Sequence, residues 1–272
     1  MSSGPRQSLS NRRRGGPGGP PPNRPRRNSG QALARAGTSG PAGSGLEQIL
    51  LWTGVAVVIG LVVIVVAFFA TRPPSEATPS GVRTPSVLTP SDIPSDGTTL
   101  GRSDAPVTID LYGDFRCSAC FYFSVTSNVE GEIVDKYVRS GQAKLVWHDY
   151  TIIDADGTTA SRDAANAALC AADQGKFWVM HDWLYANQAA DESASAFTID
   201  RLLQIGQAAG MNMAQFRPCV QQGSHDATVA AERKSAPSIS GTPSVFVNGK
   251  QVDPSTVPSY ADLSAAVEAA LK

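Results

Sequence analysis

The stretch "DFRCSACFYF", residues 114–123, sets Cys117 and Cys120 three positions apart, directly after an apolar run and at the start of a segment with helical spacing. Cysteines so placed could hold a metal, staple the chain or exchange electrons. A structural zinc site needs four ligands, usually including a second closely spaced pair. Cys170, Cys219, His148, His181 and His225 show no such spacing, so no metal is expected. A disulfide closing so short a loop stabilises little through chain entropy. Dithiol exchange remains, and position favours it: a cysteine at a helix N-terminus meets unpaired backbone N–H groups and the positive end of the helix dipole, which hold thiolate over thiol. Cys117 is therefore expected to be the exposed nucleophile with a lowered pKa, and Cys120, one turn further in, the partner that closes the disulfide.

The elements that must position this pair can be read on either side of it. "APVTIDLYGDF" alternates Val107, Ile109 and Leu111 with more polar residues, as a strand does. After the cysteines Val125, Val129, Ile133, Val134, Tyr137 and Val138 recur at helical spacing as far as Gly141, and "AKLVWHDY" reads as a second strand. Strand, helix, strand at this spacing predicts a βαβ unit. Residues 158–235 read as largely helical. "PSVFVNGKQV" then predicts a hairpin about Asn248-Gly249, and Ser259 with Asp262 predicts a capping box opening a last helix.

The Cys-x-x-Cys after the first strand, taken with "SISGTPSVFVNGK", where Thr242-Pro243 immediately precede a strand, resembles the thioredoxin superfamily. The helical insertion between them resembles the DsbA-like exported thiol-disulfide oxidoreductases, over roughly residues 100–272. The resemblance implies an α/β thioredoxin-like fold with a helical insertion between the βαβ half and the cis-proline, hairpin and helix half. It makes Cys117 and Cys120 the redox pair, Pro243 the cis-proline beside it, and Thr242 the residue whose backbone pairs with an extended substrate peptide. Asp114 and Phe115 match an acidic-aromatic stretch before the first cysteine. Two departures stand out. Ser118 replaces the frequent Pro or Gly, and Leu111 stands where relatives often carry a buried acid, leaving Asp114 or water to move the Cys120 proton.

Cys170 and Cys219 belong to no motif; in an oxidising compartment a structural disulfide is the expected reading, and two buried free thiols the alternative. The three histidines and the aromatic residues at helical spacing read as structural.

The compartment follows from the rest of the chain. Residues 1–48 carry eight Arg against Glu47 alone, whereas 100–272 carry 13 Lys and Arg against 20 Asp and Glu. Between them residues 49–70 hold no charge and as a helix would span about 33 Å, close to the roughly 30 Å hydrocarbon core of a bilayer. The positive-inside rule then puts a disordered basic tail, 1–48, in the cytosol, a transmembrane helix at 49–70, a Pro/Ser/Thr-rich spacer at 71–99 and the catalytic domain outside the cell membrane. A cleaved signal peptide is the competing reading, though its apolar region is usually shorter. No aromatic residue interleaves with the arginines, so nucleic acid is not an expected partner. The expectation is an anchored enzyme that introduces disulfides into exported cysteine-containing proteins, needs no cofactor of its own, and is reoxidised by a quinone-linked membrane partner, as the resemblance implies. A reductase or isomerase on the same fold, or a peptide-binding module without catalysis, is the alternative.

Overall fold

The computed structural model describes residues 45–70 and 81–272, which fall in two units. The basic tail up to residue 44 and the stretch 71–80 of the expected spacer lie outside the described residues. The described residues of the first unit form the helix α1 (Gly45–Ala70), of 26 residues. Trp52 and the apolar side chains of 55–67 are exposed. Among the described residues no helix is long and apolar enough to cross a membrane.

The second unit is built on a six-stranded mixed sheet: β1 (Ser95–Asp96), β2 (Thr99–Leu100), β3 (Val107–Gly113), β4 (Ala143–Asp149), β5 (Ser244–Val247) and β6 (Lys250–Val252), in spatial order β1-β2-β4-β3-β5-β6. The predicted βαβ unit is present: β3 and β4 run parallel from Val107 against Ala143 to Gly113 against Asp149. In β3 the buried residues are Val107, Ile109, Leu111 and Gly113, as the alternation requires. Position 113, the last of the strand, must be glycine because Trp147, on the neighbouring strand, fills the place of a side chain: a Cβ there would meet its ring at 2.2 Å. The hairpin β5-β6 turns at Asn248 and Gly249, both with positive φ (48° and 77°), as a tight two-residue turn demands.

The helix expected to run from the cysteines to Gly141 is divided. Helix α2 (Ser118–Phe121) widens into a π-helical turn over Tyr122–Thr126, where the Ser127 N–H bonds back to the Tyr122 carbonyl at 2.8 Å. Asn128, in the left-handed region at φ 52°, then breaks the path before α3 (Val129–Ile133) and a second π-helical turn, Val134–Val138. Asparagine is among the few non-glycine residues that enter this region readily.

The predicted helical insertion comprises α4 (Ala160–Ala172), α5 (Phe177–Asn187), α6 (Ile199–Ala208), α7 (Met213–Gln222) and α8 (Asp226–Ser235). Cys170 of α4 and Cys219 of α7 form a disulfide with Cα atoms 5.9 Å apart. The closing helix α9 (Tyr260–Ala270) opens with the predicted capping box of Ser259 and Asp262.

The spacer expected over 71–99 needs correction. From residue 81 onward it lies against the insertion rather than standing free. Thr89 donates its N–H and hydroxyl to the Asp182 carboxylate at 2.6 and 3.0 Å, the Arg83 N–H donates to Asn187 Oδ1 at 2.9 Å, and Ile93 is buried. Extended Pro-rich backbone leaves its N–H groups unpaired, and polar side chains of α5 take them up. The sheet also starts earlier than residue 100, because β2 pairs antiparallel with β4 through Thr99 against Val146.

Candidate active site

The register of the sheet assembles the site. Pairing of Tyr112 with Ser244 carries Thr242 and Pro243 to the C-terminal end of β3, where the chain turns into the cysteine helix. The Thr242–Pro243 peptide is cis, and the Cys117 thiol donates to the Thr242 carbonyl with Sγ 3.3 Å from the oxygen. Cys117 caps α2 with extended backbone, φ −69° and ψ 121°, so its sulfur stands at the helix start.

Cys117 is less open than expected: it is 7% exposed, against 2% for Cys120, because the loop bearing Pro243 lies over it. The two thiols differ sharply in chemistry. A hydrogen bond from the Cys120 thiol, assisted by the Thr242 side chain and by the N–H groups of Cys120 and Ala119, outweighs burial and lowers the Cys117 pKa to about 6. Burial, with the hydrogen bond and charge of Cys117, pushes Cys120 well above the ordinary thiol value.

A clamp from the insertion holds the active-site loop. Gln188 Nε2 donates to the carbonyls of Phe115 and Cys117 at 2.8 and 2.9 Å. Arg116 is only 3% exposed; its guanidinium reaches Asp154 Oδ1 at 3.2 Å, Thr158 Oγ1 at 2.7 Å and the Glu192 carbonyl at 2.7 and 3.1 Å. The Glu192 carboxylate accepts the Ser118 N–H at 2.8 Å. Phe115, also buried, stacks on Trp147 with ring centres 4.8 Å apart.

Asp114 lies beside the cysteines, but both of its carboxylate oxygens are engaged, accepting N–H groups from Arg116 (2.9 Å) and Ile153 (3.0 Å). Burial raises its pKa. Sequence reasoning missed a second acid. Glu130, from α3, lines a small core cavity together with Leu111, the position where an acid was missed. It also lines a separate narrow cleft with Ser124, His181, Asp182, Tyr185 and residues 87–90. Its carboxylate accepts from Ser124 Oγ at 2.5 Å and lies 3.6 Å from His181 Nε2. Burial raises the Glu130 pKa; burial also acts to lower that of His181, but the charges of Glu130 and Asp182 outweigh it and leave it raised. No signal in a single sequence marks Glu130, Gln188 or Glu192, since each meets the site through tertiary packing.

The other histidines pair locally, His148 Nε2 with Asp110 at 2.9 Å and His225 Nε2 with Asp173 at 2.8 Å. Cys170, Cys219 and His225 are the one group of metal-ligating type among the described residues, and both sulfurs are tied in the disulfide.

A parallel βαβ unit with Cys-x-x-Cys at its turn, faced by a cis-proline before an antiparallel hairpin, defines a thioredoxin-like protein. The family model described as Thioredoxin matches residues 95–269, and the chain belongs to that family. It is 30% identical over 160 residues to a probable disulfide bond formation protein D of Bacillus cereus, covering 57% of this chain and 72% of that one. A protein of the same description in Bacillus anthracis is 29% identical over 178 residues, covering 64% and 78%. Among solved structures, oxidised Mtb DsbA is 27% identical with a TM-score of 0.51, covering 68% of this chain and 91% of that one. Oxidised BdbD of Bacillus subtilis shares the fold at 22% identity and a TM-score of 0.52, covering 64% and 92%. The chain is a DsbA-like thiol-disulfide oxidoreductase.

Proposed function

We propose that the protein works outside the cytoplasmic membrane, anchored by residues 49–70, and introduces disulfides into exported proteins through Cys117 and Cys120. The observation that carries this reading is the unequal pair at the helix start, with Cys117 against the Thr242 carbonyl and Cys120 buried behind it. A substrate thiolate attacks Cys117 Sγ of the oxidised pair. The Cys117–Cys120 bond breaks, a mixed disulfide forms, and Cys120, with its raised pKa, takes up a proton. A second substrate thiolate then attacks the substrate sulfur of the mixed disulfide and expels Cys117. With a pKa of about 6, Cys117 leaves as thiolate at neutral pH without needing a proton. The substrate gains a disulfide and loses two electrons, which the enzyme dithiol passes to a quinone-linked membrane partner.

Thr242 and Pro243 also border an open cleft with Ser240, Gln251, Asp253 and Val257. An extended peptide laid along this edge would add as a strand, its main chain meeting that of Thr242. Disulfide isomerisation or reduction would use the same atoms, and only the potential of the pair selects among them.

The reading is tested in spheroplasts carrying the full chain. They should oxidise an added, membrane-impermeant dithiol peptide, and Cys117→Ala should abolish that activity. Labelling of Cys117 by an impermeant thiol reagent without peptide oxidation would overturn the function, and absence of labelling would overturn the orientation.

A further inference from the structure

The contact between the helical insertion and the cysteine helix has a chemical side that the fold does not need. The first free N–H of that helix, that of Ser118, is the group next in sequence to the nucleophile. It is occupied by a carboxylate that arrives from 74 residues away, Glu192 Oε1 at 2.8 Å. The backbone that delivers it is held in an uncommon state. Glu192 has φ 57°, the left-handed region, which a non-glycine residue keeps only when its surroundings over-determine it. Here they do: the Glu192 carbonyl accepts two hydrogen bonds from buried Arg116, and its carboxylate accepts a third from Ser118.

We propose that Glu192 is a positioning and tuning residue for the redox pair: its negative charge, held on the N-terminus of the Cys117 helix, opposes the Cys117 thiolate and so holds back the oxidising power of the enzyme. A helix start stabilises one negative charge through its unpaired N–H groups, and a second anion on the same turn repels the first. Arg116 offsets that charge only in part, because its guanidinium bonds the Glu192 carbonyl and shares its charge with the Asp154 carboxylate. Asp114 at the base of the loop and Tyr185 of α5, both buried, also stand close enough to interact with the pair. Ser118 itself is exposed and Glu192 half-buried, so the charge can be changed without opening the core. The inference rests on the thiol-disulfide exchange proposed above.

The test uses the full chain in detergent, reduced and oxidised. Glu192→Gln keeps an acceptor for the Ser118 N–H and removes the charge; Glu192→Ala removes both. Thiolate absorbance against pH should show the Cys117 titration moving to lower pH in both variants. The equilibrium with glutathione should shift about threefold toward the reduced enzyme, about 14 mV at 29.6 mV per tenfold. Raising the salt concentration should shrink the shift, because the charges are near the surface. A Glu192→Gln protein whose titration and equilibrium match the wild type would overturn the inference, showing the contact to be only a clamp, whatever Glu192→Ala does to folding. A wild-type chain without any exchange with glutathione would instead remove the functional reading on which it rests.

Discussion

At the scale of single residues the chemistry turns on how unequally one turn of helix treats two thiols. Cys117 gains from the Cys120 thiol and from N–H groups of the first turn, whereas Cys120 has lost water and faces a neighbouring negative charge. The consequence for pH is definite. Cys117 has its pKa lowered to about 6, so its thiolate population, and with it the alkylation rate of the reduced protein, should rise as pH climbs through about 6 and level off by neutral pH. A profile still rising toward pH 9 would show an unperturbed thiol at this position. The same linkage makes the reduced fold gain stability as pH rises from about 6 toward 9, and lose it as pH falls through the folded-state value. Asp114→Asn should leave the alkylation profile nearly in place, because both oxygens of that carboxylate serve backbone N–H groups. Cys117, Cys120 and Pro243 were legible in the sequence because their spacing is local or their backbone demands are peculiar. Glu130, Gln188 and Glu192 were not, because nothing in a linear pattern says which helix of an insertion folds back onto which loop.

At the scale of elements, alternation and turn chemistry carried β3, β4 and the β5-β6 hairpin, and the Ser259 capping box located α9. The helix after the cysteines reads in sequence as one piece, although it is broken by π-helical turns and Asn128, since a π turn disturbs the apolar spacing too little to be seen. The limits of 81–94 were hidden for a different reason: composition marks a Pro/Ser/Thr segment as extended but does not say whether a partner waits for its backbone, as Asp182 and Asn187 do. Within the insertion, the disulfide joins α4 to α7 across 49 positions. In the chain-entropy model, closing such a loop contributes roughly 4 kcal/mol. Replacing both Cys170 and Cys219 by Ala should therefore lower unfolding free energy by a few kcal/mol, measured by urea titration. The Cys117 titration should stay where it is, since the bridge lies outside the clamp. Unchanged stability would show the bridge to be dispensable; a displaced titration would show it to be part of the redox apparatus.

At the scale of the whole molecule, charge and apolarity along the chain give the proposal its geography. Eight arginines stand before the uncharged run 49–70, and an acidic catalytic domain stands after it. In the proposed reading an anchor, an exported domain and a reoxidising membrane partner belong together, because an oxidant of exported proteins must be re-armed from somewhere, and a tether would keep it near the membrane electron carriers. Direction is the claim on which this depends, and it is a matter of free energy: 30 mV in a two-electron couple is about 1.4 kcal/mol. The most direct measurement is the reduction potential of Cys117 and Cys120 in the full chain, equilibrated against glutathione buffers with the Cys170–Cys219 bridge intact. The account predicts a value between about −120 and −180 mV, the range of strong protein oxidants; a value near or below about −270 mV would make the protein a reductant and contradict it.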